Sequence, residues 1–215
     1  MIDIFEAFKK EANLDKAKQM SAYMQNKFPF LGIQAPVRKS LSTTYFKTLN
    51  ETKVDFNFIN QCWALDEREY QYLAIDYLRK FEKYLKEEDL LNIKILITTK
   101  SWWDSVDSLT RVVGDLALKY PILNETLLEW SLDDNMWLRR MAIIHQLLRK
   151  KKTDTLLLEK IIVNNLNNTQ FFINKAIGWA LRDYSKTDAQ WVRNFIDKYK
   201  NGLSSLSIRE GSKYI

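Results

Sequence analysis

The apolar residues of the chain recur at steps of three and four, which is the spacing of one face of an α-helix. The segments EREYQYLAIDYLRKFEKYL and NMWLRRMAIIHQLLRK show this pattern most clearly, and no strand-like alternation of apolar and polar residues persists. Glycine and proline, which punctuate the turns of β and α/β folds, occur only 5 and 3 times in 215 residues. The sequence therefore predicts an all-α fold.

A small residue followed by an aliphatic residue recurs every 34 positions along this helical pattern. The pairs are Ser40-Leu41, Ala74-Ile75, Ser108-Leu109, Ala142-Ile143 and Ala176-Ile177. Trp103, Trp137 and Phe171 form a second column with the same period. Such a period, carried by helices that do not match the tetratricopeptide pattern, is typical of stacked helical hairpins of the HEAT type. We therefore predict one domain, residues 1–215, built as an α-solenoid of HEAT-like repeats that curves around a concave face.

The charge balance and the single cysteine indicate what kind of partner and which cellular compartment to expect. Lys and Arg number 33 against 27 Asp and Glu, an excess of +6 that favours a polyanionic partner on a basic concave face. Cys62 is the only cysteine, which excludes an internal disulfide and a thiolate metal cluster and fits a reducing cytoplasm. No apolar run reaches the roughly 18 residues of a membrane span, and the N-terminus has no continuous apolar run. We expect a cytoplasmic, unexported protein.

Familiar catalytic arrangements are not indicated by the sequence. His145 is the only histidine, which excludes a two-histidine metal site, and its setting in MAIIHQLL favours a core or boundary histidine over a catalytic one. No glycine-rich dinucleotide or nucleoside-triphosphate motif occurs. The sequence therefore indicates no two-histidine metal site, no dinucleotide and no nucleoside triphosphate.

The string KSWWDSVDS places a carboxylate among tryptophans. Asp107 occupies a repeat column in which Leu73 and Met141 are apolar, and it lies one helical turn after Trp103. We interpret Asp104 as a local capping or pairing residue and Trp102 as a core residue. A fixed carboxylate can stabilise the positive charge that builds on a sugar as its glycosidic bond breaks. An alkylated, cationic purine is a leaving group good enough to need no general acid.

Several basic residues and Gly178 can be interpreted either as purely structural or as functional. Lys39, Arg140 and Lys175 fit either a solvated basic face or a rim that contacts phosphates, and the sequence weighs these alternatives evenly. The basic run at residues 149–152 favours capping of a helix C-terminus first and phosphate contact second. Gly178, before Trp179 on a predicted helix, indicates close approach of a neighbouring helix or a ligand.

Five strings together, KFPFLGIQAPVRK, LDEREYQ, TKSWWDSVDS, NMWLRR and KAIGWALRDY, carry a resemblance to a known family. The sequence resembles the AlkD-type DNA alkylation-repair enzymes, which are HEAT-like-repeat DNA glycosylases, over roughly residues 20 to 185. The resemblance implies a monofunctional enzyme of base excision repair that removes 3-methyladenine, 7-methylguanine and related cationic alkylpurines from duplex DNA. It also implies that the protein works as a monomer, needs no metal or cofactor, leaves an abasic site and does not flip the damaged base.

The resemblance also assigns roles to individual residues. Asp107 matches the catalytic aspartate, and Trp103 and Trp179 match the tryptophans of its aromatic cleft. The residues implied to contact DNA, with Lys175 added from its place in the repeat, are Tyr23, Gln34, Arg38, Lys39, Arg140 and Lys175. The sequence departs from the family pattern at Ala35, where a hydroxyl residue is expected, and at Lys39, where arginine is common. A lysine offers a point charge in place of a bidentate fork, so it weakens that phosphate contact.

A second function of a different class stays open at this point. A catalytically inactive solenoid could bind DNA or a protein partner through the same face. Asp107 with its two tryptophans favours the enzyme, because a carboxylate in a groove that only binds phosphates lowers affinity by repulsion.

Overall fold

The computed structural model describes residues 3–215, and every regular element in this part of the chain is a helix. The all-α prediction is confirmed, with thirteen α-helices among the described residues. They form two compact units, the first ending at Lys86 and the second running from Glu87 to Ile215. No helix within residues 3–215 is both long enough and apolar enough to cross a membrane. The prediction of a single domain stays a prediction.

The described part of the first unit contains five α-helices, and all of them except α2 bury residues in a core rich in aromatic rings. The helices are α1 (Ile4–Lys10), α2 (Leu14–Tyr23), α3 (Ala35–Phe46), α4 (Phe56–Ala64) and α5 (Arg68–Phe81). The ring of Tyr77 lies 4.9 Å from that of Phe58 and 4.7 Å from that of Phe81, between centroids. Cys62 on α4 is completely buried, and this burial raises the pKa of its thiol.

A buried carboxylate fixes the loop between α2 and α3. The side chain of Glu69, on α5, accepts hydrogen bonds from three consecutive backbone N–H groups, those of Leu31 at 2.9 Å, Gly32 at 2.8 Å and Ile33 at 3.0 Å. Gly32 has φ +89°, and a Cβ there would lie 2.0 Å from the carbonyl oxygen of Asn13. The loop therefore depends both on glycine at 32 and on the charge of Glu69.

The second unit contains eight α-helices. They are α6 (Leu90–Thr98), α7 (Trp103–Lys119), α8 (Leu123–Trp130), α9 (Met136–Ile144), α10 (Thr155–Val163), α11 (Phe171–Ser185), α12 (Ala189–Tyr199) and α13 (Ser205–Gly211). Helix α13 packs on α11, where the Ser207 hydroxyl donates to the Asn174 carbonyl at 2.8 Å.

The five small-aliphatic pairs of the 34-residue period lie on every second helix, from α3 to α11. Both members are buried in the three pairs that have alanine at the small position, whereas Ser40 and Ser108 are exposed. The period thus corresponds to one pair of helices, although its small position is not always in the core. The curved, concave form of the predicted solenoid stays a prediction.

The basic run at residues 149–152 does not close a helix, so that prediction was wrong. Helix α9 ends at Ile144, and Lys150–Lys152 form a short 3₁₀ turn beyond it. Leu148 and Lys150 have φ angles of 66° and 53°, which a continuing helix does not allow.

Candidate active site

A cleft of about 380 Å³ lies among α7, α9 and α11 of the second unit. Its walls are four aromatic and four charged side chains: Trp103, Phe171, Phe172, Trp179, Asp107, Arg140, Lys175 and Arg182. Five of these eight were singled out from the sequence, and they come from strings that lie far apart along the chain.

Helical spacing explains how each segment presents several side chains to the cleft. Trp103 begins α7, and Asp107 follows it by one turn. On α11, Phe171, Lys175 and Arg182 follow one another at steps of four and seven residues, which keeps them on one face of the helix. The aromatic and charged groups of the cleft therefore arise from regular positions on regular helices.

Arg140 holds the carboxylate of Asp107 from the neighbouring helix. Its Nε donates to Oδ1 at 2.8 Å and its Nη2 donates to Oδ2 at 2.8 Å, while its Nη1 donates to the carbonyl oxygen of Phe172 at 2.6 Å. Arg140 is only 3% exposed. A bidentate pair of this kind fixes the plane of the carboxylate as well as its charge.

The environment of Asp107 acts on its pKa in opposite directions. Burial raises the pKa, the hydrogen bonds and charge of Arg140 lower it, and the charge of Asp104 raises it, so that the pKa is above the usual range for aspartate. The side chain is 18% exposed. Asp107 is thus a partly desolvated carboxylate with one side open to the cleft.

A second carboxylate, that of Glu210 on α13, contacts two cations of the cleft. Its Oε1 lies 3.0 Å from Lys175 Nζ, its Oε2 lies 2.8 Å from Arg182 Nη1, and Lys213 Nζ is 3.5 Å from Oε2. The hydrogen bond from Lys175 is the main cause that lowers the pKa of Glu210. Glu210 is therefore ionised at neutral pH.

Known proteins are similar to this chain over nearly its whole length. A family model described as DNA alkylation repair enzyme matches residues 4–215. The chain belongs to this DNA alkylation repair enzyme family. The match extends beyond the strings that carried the resemblance in the sequence, and it confirms the expected family.

Solved structures agree with the family and with the fold. A structure described as a predicted DNA alkylation repair enzyme from Enterococcus faecalis is 38% identical, with a TM-score of 0.88 over 95% of this chain and 97% of that one. AlkD2 from Streptococcus mutans is 18% identical, with a TM-score of 0.64 over 93% and 99% of the two chains. The smu.31 protein of Streptococcus mutans UA159 is 16% identical, with a TM-score of 0.62 over 97% and 99%. The search of curated proteins gives no match.

Three residues of this family member's cleft were not singled out as site residues. Arg182 lies two turns after Lys175 on α11, so helical spacing from a predicted cation could have identified it. Phe171 stands in the same 34-residue column as Trp103, which was a usable signal. Phe172 gave no signal beyond being apolar, and its role depends on its backbone carbonyl, which accepts from Arg140.

A cluster of aromatic rings packs around Phe172, whose backbone carbonyl accepts the hydrogen bond from Arg140. Trp102 lies 5.8 Å from Trp137 and 5.2 Å from Phe172 between ring centroids, and the last two rings are 5.1 Å apart. Trp102 packs in this cluster and is not among the residues that line the cleft, although it is only partly buried. Asp104 is buried.

The predicted DNA contacts of the first unit differ in exposure. Tyr23, the last residue of α2, is 72% exposed, and Lys39 on α3 is also exposed. Gln34 precedes α3, and its Oε1 accepts from Lys16 Nζ at 3.2 Å. Arg38, in contrast, is buried, and its guanidinium pairs with Asp76 and lies 4.9 Å from the centre of the Tyr72 ring. Tyr23 and Lys39 are therefore better placed than Arg38 to meet a large ligand.

The single histidine lies in the core of the second unit, as predicted. His145 is buried, and its Nδ1 lies 2.7 Å from the carbonyl oxygen of Ala142. Burial lowers the pKa of this imidazole to about 3, and the charge of Arg149 contributes to the shift. Within residues 3–215, no group of three or more His, Cys, Asp or Glu side chains could hold a metal ion.

Proposed function

We propose that this protein is a monofunctional DNA glycosylase that hydrolyses the N-glycosidic bond of cationic alkylated purines, among them 3-methyladenine and 7-methylguanine, in duplex DNA. The observation that carries the proposal is the partly buried carboxylate of Asp107, fixed by Arg140 inside an aromatic cleft. The product is an abasic site, and the reaction uses water and no cofactor.

The chemistry requires negative charge at a fixed place. As the bond between C1′ and the purine breaks, its electron pair neutralises the cationic base, and positive charge develops on C1′ and the ring oxygen. A carboxylate that is already oriented stabilises this charge without reorganisation, and it can orient the water that attacks C1′. Asp107 satisfies this requirement because Arg140 holds both of its oxygens.

The composition of the cleft supports a substrate whose purine is already cationic, because such a base can leave without being protonated. Asp107 is the only carboxyl group among the eight lining residues, so the cleft offers no second carboxylic acid to protonate the departing base. The faces of Trp103 and Trp179 suit a cationic purine or a sugar ring, because aromatic faces attract cations.

The same lining supports recognition without a base-reading pocket. None of the eight lining side chains is a neutral amide or a hydroxyl, the groups that ordinarily read the edge of an extruded base. We propose that the cleft contacts the deoxyribose and backbone of an unflipped lesion, with Lys175 near the phosphates. An open contact of this kind would also tolerate bulky adducts. In the first unit, Tyr23, Gln34, Arg38 and Lys39 remain proposed DNA contacts.

The first prediction concerns Asp107→Asn, which keeps the shape of the side chain and removes its charge. In a single-turnover assay without added metal, we expect the wild type to release 7-methylguanine from a defined duplex. We expect the variant to be slower by roughly 100-fold or more, because it loses an interaction made in the transition state. Its affinity for DNA should not fall, since a repulsive charge is removed.

Asp115→Asn is the matched control, because Asp115 lies two turns further along α7, does not line the cleft and pairs with the exposed Arg111. It should excise like the wild type. If the wild type binds the duplex and releases no base, the protein is the non-catalytic binder and the glycosylase proposal fails.

A further inference from the structure

Glu210 is not part of the cleft wall, yet its carboxylate joins two cations that are. Lys175 Nζ and Arg182 Nη1 lie 3.0 Å and 2.8 Å from its two oxygens, one on each. The side chain of Glu210 is 8% exposed, compared with 38% for Lys175 and 25% for Arg182. The carboxylate is thus much less exposed than either of the two cations that it contacts.

Gly178 explains how a carboxylate from another helix reaches this position. It lies between Lys175 and Arg182 on α11, one turn from each. A Cβ at Gly178 would be 2.6 Å from the Cβ of Glu210 and 3.2 Å from the carbonyl oxygen of Ser207. The glycine therefore forms a notch between two cations, and α13 approaches closely enough there to place Glu210 between them. The close approach indicated by the sequence is that of a neighbouring helix.

We propose that Glu210 is a positioning residue, which holds Lys175 and Arg182 in place along the cleft and reduces their attraction for DNA in general. The proposal rests on the proposed function for its substrate, since it takes the cleft to be the place where DNA binds. Lysine and arginine side chains lose much rotamer freedom when they bind a phosphate. An anchored pair has already lost that freedom, so it can meet a phosphate in a defined geometry.

The shared carboxylate also limits the charge of the cleft. One glutamate among Lys175, Arg182 and Lys213 removes one unit of positive charge from the cluster. Binding of intact DNA depends chiefly on how many phosphates the protein neutralises, and each one adds nearly one unit to the slope of log affinity against log salt concentration. Glu210 should therefore weaken binding to undamaged DNA while it aligns the cations for excision.

The experiment compares Glu210→Gln with the wild type on an undamaged duplex of defined sequence over a series of salt concentrations. We expect tighter binding at low salt and a slope steeper by about one unit, because the freed cations gain phosphate contacts. The Glu210 carboxylate could instead serve only to pack α13 on α11. Glutamine has the same shape, so in that case the slope would stay unchanged or become shallower, and the proposal would be overturned.

Glu159→Gln is the matched control. Glu159 accepts hydrogen bonds from Lys198 Nζ at 2.9 Å and from the Tyr199 hydroxyl at 2.6 Å, and it does not line the cleft. Both variants raise the net charge of the protein by one, but only Glu210→Gln frees cations of the cleft. An equal change of slope in both variants would show a general charge effect and overturn the proposal.

Glu210→Asp separates position from charge and serves also if Glu210→Gln does not fold. It keeps the negative charge and shortens the side chain by one methylene group. We expect an unchanged salt slope and a several-fold slower single-turnover release of 7-methylguanine, whereas wild-type rates would overturn the positioning role. The slope on undamaged duplex needs no excision, so it still tests Glu210 if the wild type proves inactive and the glycosylase proposal fails.

Discussion

At the level of single residues, Asp107 and Arg140 form one hydrogen-bonded unit. The sequence identified Asp107 because it is a carboxylate in a repeat column where Leu73 and Met141 are apolar. It did not reveal that Arg140 would donate two hydrogen bonds to Asp107, because that contact depends on how α7 packs against α9. The sequence analysis predicted that Arg140 contacts the DNA backbone, and this role stays a prediction. In the structure the guanidinium of Arg140 is buried and hydrogen-bonded within the protein.

The pKa of Asp107 leads to a prediction for the pH dependence of excision. The carboxylate must be ionised to stabilise a cationic transition state, so the excision rate should rise with pH through its raised pKa. Arg140 lowers that pKa, and Arg140→Met should therefore shift the acid limb of the profile to higher pH. Single-turnover rates from about pH 4, near the ordinary pKa of aspartate, to about pH 8 measure the shift, after subtraction of spontaneous base release.

The same variant tests the contact of Arg140 with DNA. If Arg140 serves Asp107 alone, Arg140→Met leaves the salt dependence of duplex binding unchanged. A phosphate contact would instead lower the slope by about one unit. An acid limb that stays in place or moves to lower pH would contradict the role of Arg140 as the partner of Asp107.

At the level of elements, the sequence predicted helices and their period better than their ends and loops. The 34-residue columns lie on alternate helices, because a helix pair is the unit that repeats. The turn after Ile144 and the loop at residues 31–33 were not predictable, since each depends on side chains from elsewhere. In the turn, Gln146 bonds both the N–H and the carbonyl of Asp154, at 2.8 Å and 3.0 Å.

The loop at residues 31–33 carries a prediction of its own. Glu69→Gln replaces a buried carboxylate that accepts three backbone N–H groups. The amide keeps one acceptor oxygen and turns a donor towards these donors, so we expect the free energy of unfolding to fall by about 2 to 4 kcal/mol. Urea denaturation measures the change. Glu6→Gln, which removes the charge of an exposed carboxylate paired with Lys9, should cost far less, and equal costs would contradict the account of the loop.

At the level of the whole molecule, the buried histidine links stability to pH. In the folded protein the pKa of His145 is about 3, whereas an unfolded chain has an ordinary histidine pKa of about 6.5. Between these two pKa values the unfolded state binds a proton that the folded state does not bind. The contribution of His145 to the free energy of unfolding is therefore fully present above about pH 6.5 and is lost as the pH falls. From about pH 7 to about pH 5 this single group should cost about 2 kcal/mol.

His145→Gln tests this prediction, because glutamine is polar but does not titrate. Urea denaturation followed by circular dichroism at both pH values should show a smaller acid loss for the variant than for the wild type. Equal losses would place the acid sensitivity elsewhere in the protein.

The buried thiol of Cys62 can be used as a natural probe of local unfolding around α4. It is the chain's only cysteine and belongs to the first unit, whereas Trp63 is the only one of the 7 tryptophans outside the second unit. A thiol-labelling reagent can react only when α4 is exposed, while tryptophan fluorescence follows mainly the other unit. Coincidence of the two signals during denaturation would show that residues 1–215 unfold as one cooperative domain. Labelling that precedes the change in fluorescence would show two domains that open separately.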